Sequence, residues 1–174
     1  MKRQVNPRIS GQIANFALPR YEEIPNVGLY LEQVTKYICE YLAPLQEGAL
    51  TGSMISNYVK KGLLDNPVKK QYGREQIAYL FFIAVAKNVL SLDELKLFIE
   101  RQKKTYLPKV AYDYFCEELE NVLGFVFGLK SAADVVGVEN TQEKEILRNT
   151  IVAAVHKFYL QKYFADLAGE QNRD

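Results

Sequence analysis

The chain of 174 residues has no tryptophan, one histidine and only two cysteines. A zinc site or a disulfide framework needs more ligands than these, and a Ser-His or Cys-His catalytic pair would depend on His156 alone. Cys39 and Cys116 lie far apart in apolar stretches, where a free cysteine behaves as a small hydrophobic residue. We therefore expect no metal, no cofactor and no catalytic residue, and we do not expect an enzyme.

Long hydrophobic runs are also missing. The longest, residues 77–86, has ten residues and is too short to cross a bilayer. No apolar stretch follows the polar first residues, as it would in a signal peptide. The composition, with 48% hydrophobic and 25% charged residues, is that of a globular protein. We expect a cytoplasmic protein that does not bind membranes.

Apolar residues recur at helical spacing, and the alternation typical of strands is almost absent. This pattern predicts an all-α protein. Glycine, proline and capping residues predict helices over residues 10–16, 28–43, 52–61, 74–89, 92–102, 108–127 and 141–167. Residues 68–72 are expected to be extended, and residues 128–140 are expected to form a loop with one turn of helix.

Positive charge is concentrated in one short segment. Residues 51–74 contain five bases and one acid, a net charge of +4. The whole chain carries +1, so the remainder carries −3. A short basic segment on a mildly acidic body is typical of a nucleic-acid-binding protein. The other interpretation is a solvated face, in which Lys60 and Lys61 complement the dipole at a helix C-terminus.

The order of features in this segment indicates how duplex DNA would be contacted. A short helix capped by Thr51 is followed by a basic loop and then by another helix. The short helix would enter a groove, and the loop would lie on phosphates like a wing. The residues expected to face base edges are Ser53, Ser56 and Asn57. The residues expected near phosphates are Lys60, Lys61, Lys69, Lys70, Tyr72 and Arg74.

Three stretches resemble the MerR-type winged helix-turn-helix, and together they cover about residues 50–100. LTGSMISNYVKKGLL, residues 50–64, is similar to the stretch that contains its recognition helix. KQYGREQIAYL, residues 70–80, and SLDELKLFI, residues 91–99, resemble the end of its wing and the helices that follow. The whole chain, including LPRYEEIP at residues 18–25, also looks like an uncharacterised family of small bacterial proteins.

The resemblance implies a fold and a function. The fold is an all-α, MerR-like winged helix-turn-helix with a C-terminal helical extension. It divides the chain into an N-terminal arm (1–27), a winged helix-turn-helix domain (28–104) and a C-terminal dimerisation or effector region (105–174). The function is that of a transcriptional regulator that binds double-stranded DNA. The alternative is a protein-interaction module that keeps this fold without binding DNA.

Some of the residues by which the MerR-type family contacts DNA have a match in this sequence. Tyr58 matches a family tyrosine that contacts the DNA backbone, Tyr72 matches the wing tyrosine, and Lys70 replaces the wing arginine. The usual run Arg-Thr-Ile-Arg-Tyr-Tyr reads Ser-Met-Ile-Ser-Asn-Tyr at residues 53–58, so both arginines are missing. Their absence is the reason for keeping the protein-interaction alternative.

Aromatic residues are abundant in the C-terminal region and recur at helical spacing, which is typical of a core. The alternatives are a pocket for a small effector molecule or a dimer interface. Because MerR-like proteins dimerise through C-terminal helices, the resemblance implies a homodimer. Its candidate contacts are Ile151, Val155, Phe158 and Leu160. His156 is expected to be structural. Glu117, Glu118 and Glu120 are expected to form a solvated face.

Overall fold

The computed structural model describes residues 5–137 and 139–172, which form seven α-helices, one 3₁₀ helix and a two-stranded sheet. The α-helices are α1 Pro7–Gln12, α2 Leu31–Leu42, α3 Gly52–Lys60, α4 Arg74–Ala86, α5 Leu92–Thr105, α6 Pro108–Val126 and α7 Gln142–Gln171. The 3₁₀ helix is Tyr21–Glu23, and the strands are β1 Leu29–Tyr30 and β2 Gln71–Tyr72. The prediction of a mainly helical protein is confirmed.

The predicted caps of α3 and α5 are confirmed, whereas the first helix, predicted over residues 10–16, lies at Pro7–Gln12 and is capped by Asn6. The backbone N–H of Met54 donates to Oγ1 of Thr51 at 3.2 Å, which caps α3. Ser91 and Glu94 form a reciprocal capping box at the start of α5. Gly62, with φ of +79°, adopts the left-handed backbone that ends α3. Helix starts and stops that depend on such short-range chemistry are therefore predictable.

The two strands pair antiparallel, with Leu29 opposite Tyr72 and Tyr30 opposite Gln71. The predicted helix over residues 28–43 therefore begins three residues later, at Leu31. Gly28 allows this close pairing, because an added Cβ would lie 2.6 Å from the side chain of Gln71. The two strands are more than forty residues apart in sequence, so local periodicity cannot predict that they pair.

Helix α4 is the centre of the protein. The periodicity predicted one buried face, but every residue from 77 to 86 is buried. Helices α2, α6 and α7 pack around α4, so the ten-residue apolar run is a core helix. Within the described part of the chain, no helix is both long enough and apolar enough to span a membrane.

One hydrophobic core connects the N-terminal arm, the middle of the chain and the last helix, and it includes Ile9 and Phe158. Glu120 of α6 fixes the arm in place. Its carboxylate accepts hydrogen bonds from the guanidinium of Arg20 at 2.7 and 2.8 Å and from the backbone N–H of Leu18 at 3.0 Å. The N-terminal arm (1–27), the middle domain (28–104) and the C-terminal region (105–174), which were predicted as separate parts, therefore share one hydrophobic core.

The acidic residues of α6 do not form the solvated face that was expected. Glu117 is exposed, but Glu120 binds the arm and Glu118 is only 2% exposed. Oε1 of Glu118 accepts a hydrogen bond from Nε of Arg148 on α7 at 2.9 Å. Its Oε2 is buried without a hydrogen-bond partner among the described residues. The linear pattern missed this pair because Arg148 lies on another helix, thirty residues further along the chain.

Both cysteines pack as small hydrophobic residues. Cys116 is buried with its Sγ 3.8 Å from the carbonyl oxygen of Pro19, and burial raises the pKa of its thiol to about 12. Cys39 is partly buried, and its thiol donates to the carbonyl oxygen of Leu50 at 3.3 Å. His156, expected to be structural, is instead exposed on α7.

Three of the four candidate dimer contacts are unavailable to a partner. Ile151, Val155 and Phe158 are at most 1% exposed, because α7 packs them against the core of its own chain. Leu160, in contrast, is 51% exposed. The aromatic C-terminal pattern therefore belongs mainly to the core up to residue 158 and opens to solvent beyond it.

Candidate nucleic-acid interface

Lys69 and Lys70 occupy the tip of a tight β-hairpin. Val68 and Gln71 exchange two backbone hydrogen bonds, of 3.1 and 3.0 Å. Both lysines have positive φ, +51° and +63°. Two successive left-handed residues between a hydrogen-bonded pair indicate a type I′ turn, which favours Asn-Gly. The expectation of extended chain over residues 68–72 is thus refined to a hairpin whose second strand is β2.

The backbone at this tip is strained. A left-handed conformation costs a residue with a Cβ about 1–2 kcal/mol. Both lysine side chains are exposed, and neither has a hydrogen bond or ion pair with any residue that the structure describes. The turn therefore presents two uncompensated ammonium groups where glycine or asparagine would be more stable.

Replacing this pair by the residues that the turn favours, Lys69→Asn with Lys70→Gly, is expected to raise the free energy of unfolding by about 1–2 kcal/mol. Urea unfolding followed by circular dichroism measures the change. Lys69→Ala with Lys70→Ala is the matched control, since it removes the same charges but keeps a Cβ in the left-handed backbone. If both variants gain the same free energy of unfolding, the removed charges explain the gain and the turn conformation does not.

Helix α3 presents a polar face to solvent. Ser53, Ser56 and Lys60 are exposed, and Asn57 is half-buried beside them. Spacings of three and four residues place these four side chains on one side of the helix. The opposite side carries Ile55, which is fully buried. This outward face therefore presents short hydrogen-bonding groups to solvent.

Three residues expected near phosphates are instead held within the protein body. Tyr58 and Tyr72 are only 4% and 5% exposed, and burial raises the pKa of both phenols. Nε of Arg74 donates to the carbonyl oxygen of Ile24 at 2.9 Å, and its guanidinium pairs with Glu22 at 2.9 Å. The expectation that these three side chains contact phosphates is therefore corrected. They pack inside the protein, where they stabilise α3, β2 and the arm.

Four lysines of the segment are free of such contacts. No carboxylate of a described residue lies within 4 Å of the ammonium groups of Lys60, Lys61, Lys69 or Lys70. Elsewhere several cations are compensated; Lys130, for example, pairs with Asp134 at 2.5 Å. The charge of these four lysines is therefore available to an anionic partner, whereas that of Arg74 is compensated by Glu22.

A fifth lysine, which the sequence did not reveal, lies beside the end of α3. Nζ of Lys96 on α5 is 3.4 Å from the position that a Cβ on Gly62 would occupy, just beyond the end of α3. Lys96 is more than thirty residues away in sequence, so the charge count over residues 51–74 did not include it. We call these five residues the lysine group; they are Lys60, Lys61, Lys69, Lys70 and Lys96.

The comparisons with known proteins found a match that includes the strands, α3 and the hairpin. A family model described as a domain of unknown function, DUF1836, matches residues 19–115. The match runs from the arm through both strands, α3 and the hairpin into α6. No curated protein and no solved structure matches the chain. Because the matched residues make up more than half of the chain, the protein belongs to the DUF1836 family.

Proposed function

We propose that this protein is a transcriptional regulator that binds double-stranded DNA through α3 and the hairpin tip, using a MerR-like winged helix-turn-helix. The order of elements supports the proposal. A strand, β1, precedes two helices, α2 and α3, and a hairpin follows whose second strand returns to pair with β1. Helices α4 and α5 follow the hairpin, where the resemblance also implies helices.

The hairpin tip is the observation on which the proposal depends most. Lys69 and Lys70 are exposed, unpaired and held in a backbone that lysine adopts at a cost. Strained residues persist where the surrounding structure imposes them, and they are concentrated at functional sites. Two ammonium groups on an exposed turn complement the negative charge of a phosphate backbone.

Contacts to bases are assigned to the outward face of α3. Asn57 has the amide that pairs with an adenine edge, whereas the hydroxyls of Ser53 and Ser56 discriminate only weakly among bases. Both family arginines are absent from this helix. The proposed affinity therefore comes mainly from the lysine group and phosphates, with a modest contribution from sequence readout.

A titration of a fluorescently labelled duplex with the native protein tests the proposal. Saturable binding at low salt that weakens as salt rises is the expected result, because phosphate contacts release counterions. If no duplex is retained at low salt, and a protein partner is captured at a level that salt does not change, the protein-interaction alternative replaces the proposal.

We propose that the protein acts as a homodimer that joins through the end of α7. Leu160, Tyr163, Phe164 and Leu167 are between 38% and 63% exposed. Their spacing places them on one face of the helix, which we call the α7 stripe. Exposed apolar side chains in such a row are typical of a helix–helix interface.

Phe164 is the most exposed member of the α7 stripe. Phe164→Glu is expected to raise the dissociation constant of the dimer at least tenfold, because the interface would bury a charge without a partner. Sedimentation at micromolar concentration measures it. Ile146→Glu, at an exposed position in the first half of α7, is the matched control and should leave the dimer intact. A monomeric native protein, or equal effects of both changes, would contradict the assignment.

A further inference from the structure

A cavity of about 380 Å³ lies between α4, α5, α6 and the start of α7. This volume is in the range of small-molecule binding sites. The wall is mainly aromatic and aliphatic, and it includes Tyr79, Phe82, Phe98, Phe115 and Leu147. Neither α3 nor the hairpin tip contributes a lining residue, so this cavity is separate from the proposed DNA-binding face.

The cavity wall contains buried polar groups with unused hydrogen-bonding capacity: the hydroxyl of Tyr114, which has no partner among the described residues, and the amide of Gln102. The hydroxyl of Tyr79 donates to Oε1 of Gln102 at 3.2 Å, and Nε2 of Gln102 donates to the carbonyl oxygen of Tyr106 at 3.2 Å. Gln102 is only 8% exposed. One N–H of its Nε2 and one lone pair of its Oε1 remain without a hydrogen bond. Gln102 can therefore donate to, or accept from, one polar group of a bound molecule.

The charged residues at the cavity favour a neutral occupant. Glu143 accepts a hydrogen bond from Nε of Arg101 at 2.8 Å. The ammonium group of Lys144 lies 4.9 Å from the ring centre of Tyr114. Glu139 is exposed to solvent at the edge. No buried, uncompensated charge among the described lining residues is available to pair with an ionic ligand.

The aromatic rings of the wall favour an aromatic occupant. The ring of Phe82 is 5.3 Å from that of Phe98 and 5.6 Å from that of Phe115, and it meets the latter edge to face. Such aromatic walls gain most from another ring, which can stack or contact them edge-on. We propose that the cavity binds a small, neutral, planar molecule of two fused rings whose single polar group is recognised by Gln102.

The probe for this proposal is 2-naphthol, which has two fused rings and one hydroxyl group. Because the chain has no tryptophan, the fluorescence of the probe can be excited apart from that of the protein. Saturable binding is expected, with a dissociation constant of about 10–100 μM. The anion 2-naphthoate has the same rings and is expected to bind at least tenfold more weakly.

Two substitutions test the location of the site. Ala111→Phe places a ring into the cavity from its half-buried rim and is expected to weaken binding at least tenfold. Ala153→Phe, at an exposed position of α7 outside the cavity, is the matched control and should change binding less than twofold. Gln102→Leu keeps the volume but removes the amide, and it should weaken binding about tenfold. This third variant decides the question if Ala111→Phe does not fold.

Four results would overturn the proposal: no saturable binding of 2-naphthol to the native protein, equal binding of 2-naphthoate, unchanged affinity in a folded Ala111→Phe variant, or unchanged affinity in Gln102→Leu. The proposal does not depend on DNA binding. A failure of the duplex titration therefore leaves it standing, and a failure here leaves the proposed function standing.

Discussion

Replacing Arg148 by methionine is expected to lower the free energy of unfolding by about 1–3 kcal/mol, because Glu118 is buried although the side chain of Arg148 is itself 47% exposed. Nε of Arg148 lies 2.9 Å from Oε1 of Glu118, whose side chain is only 2% exposed. The other oxygen of Glu118 has no hydrogen-bond partner among the described residues. Without the guanidinium, the carboxylate would remain in the core with no compensating charge. Urea unfolding at neutral pH measures the loss.

Two further variants separate the cost of a buried charge from that of a lost contact. Glu118→Gln with Arg148→Met removes both charges and is expected to recover most of the lost stability. Arg8→Met is the control for an exposed pair, since its side chain is 61% exposed near Glu170, and it should cost less than about 1 kcal/mol. If the double variant is no more stable than Arg148→Met, or Arg8→Met costs as much, the buried-charge explanation is wrong.

Replacing both hairpin lysines, Lys69→Ala with Lys70→Ala, is expected to weaken duplex binding by about 10- to 100-fold at low salt, with similar losses for all sequences. Each lysine that neutralises a phosphate contributes close to one unit to the slope of log K against log salt. The slope should therefore become shallower by up to about two units. Anisotropy titrations at several salt concentrations measure both quantities.

Lys103→Ala with Lys104→Ala is the matched control, because these two adjacent lysines are also exposed but lie at the end of α5. The same charge is removed from another element of the chain, so affinity and slope should change less than in the hairpin variant. Unchanged affinity in the hairpin variant would mean that the tip does not contact phosphates. Equal losses in both variants would mean that net charge alone governs binding.

Sequence reasoning succeeded where the determining contacts are short-range. Thr51 caps α3 through a hydrogen bond three residues away, and the capping box of Ser91 and Glu94 spans the same distance. In contrast, the strand at residues 29–30 exists only because β2 pairs with it. The burial of α4 on every side likewise requires neighbours from α2, α6 and α7, which no local pattern encodes.

The same distinction applies to the candidate interface. The lysines of α3 and the hairpin were predictable because their charge is read directly from the sequence and an unpaired lysine is almost never buried. Arg74 was placed wrongly because its partner Glu22 lies 52 residues earlier in the chain. Tyr58 and Tyr72 were placed wrongly because an aromatic ring with a hydroxyl suits a surface or a core equally well. Lys96 was missed because tertiary packing alone brings it to Gly62.

The most direct test of the DNA-binding proposal is a map of the backbone amide signals that shift when a short duplex is added to the isotopically labelled protein. The largest changes are predicted at Ser53, Ser56, Asn57, Lys69 and Lys70, and the residues of α6 should change little. If the spectrum does not change at low salt, or if the shifts are confined to α6 and α7, then α3 and the hairpin tip do not form a DNA-binding surface.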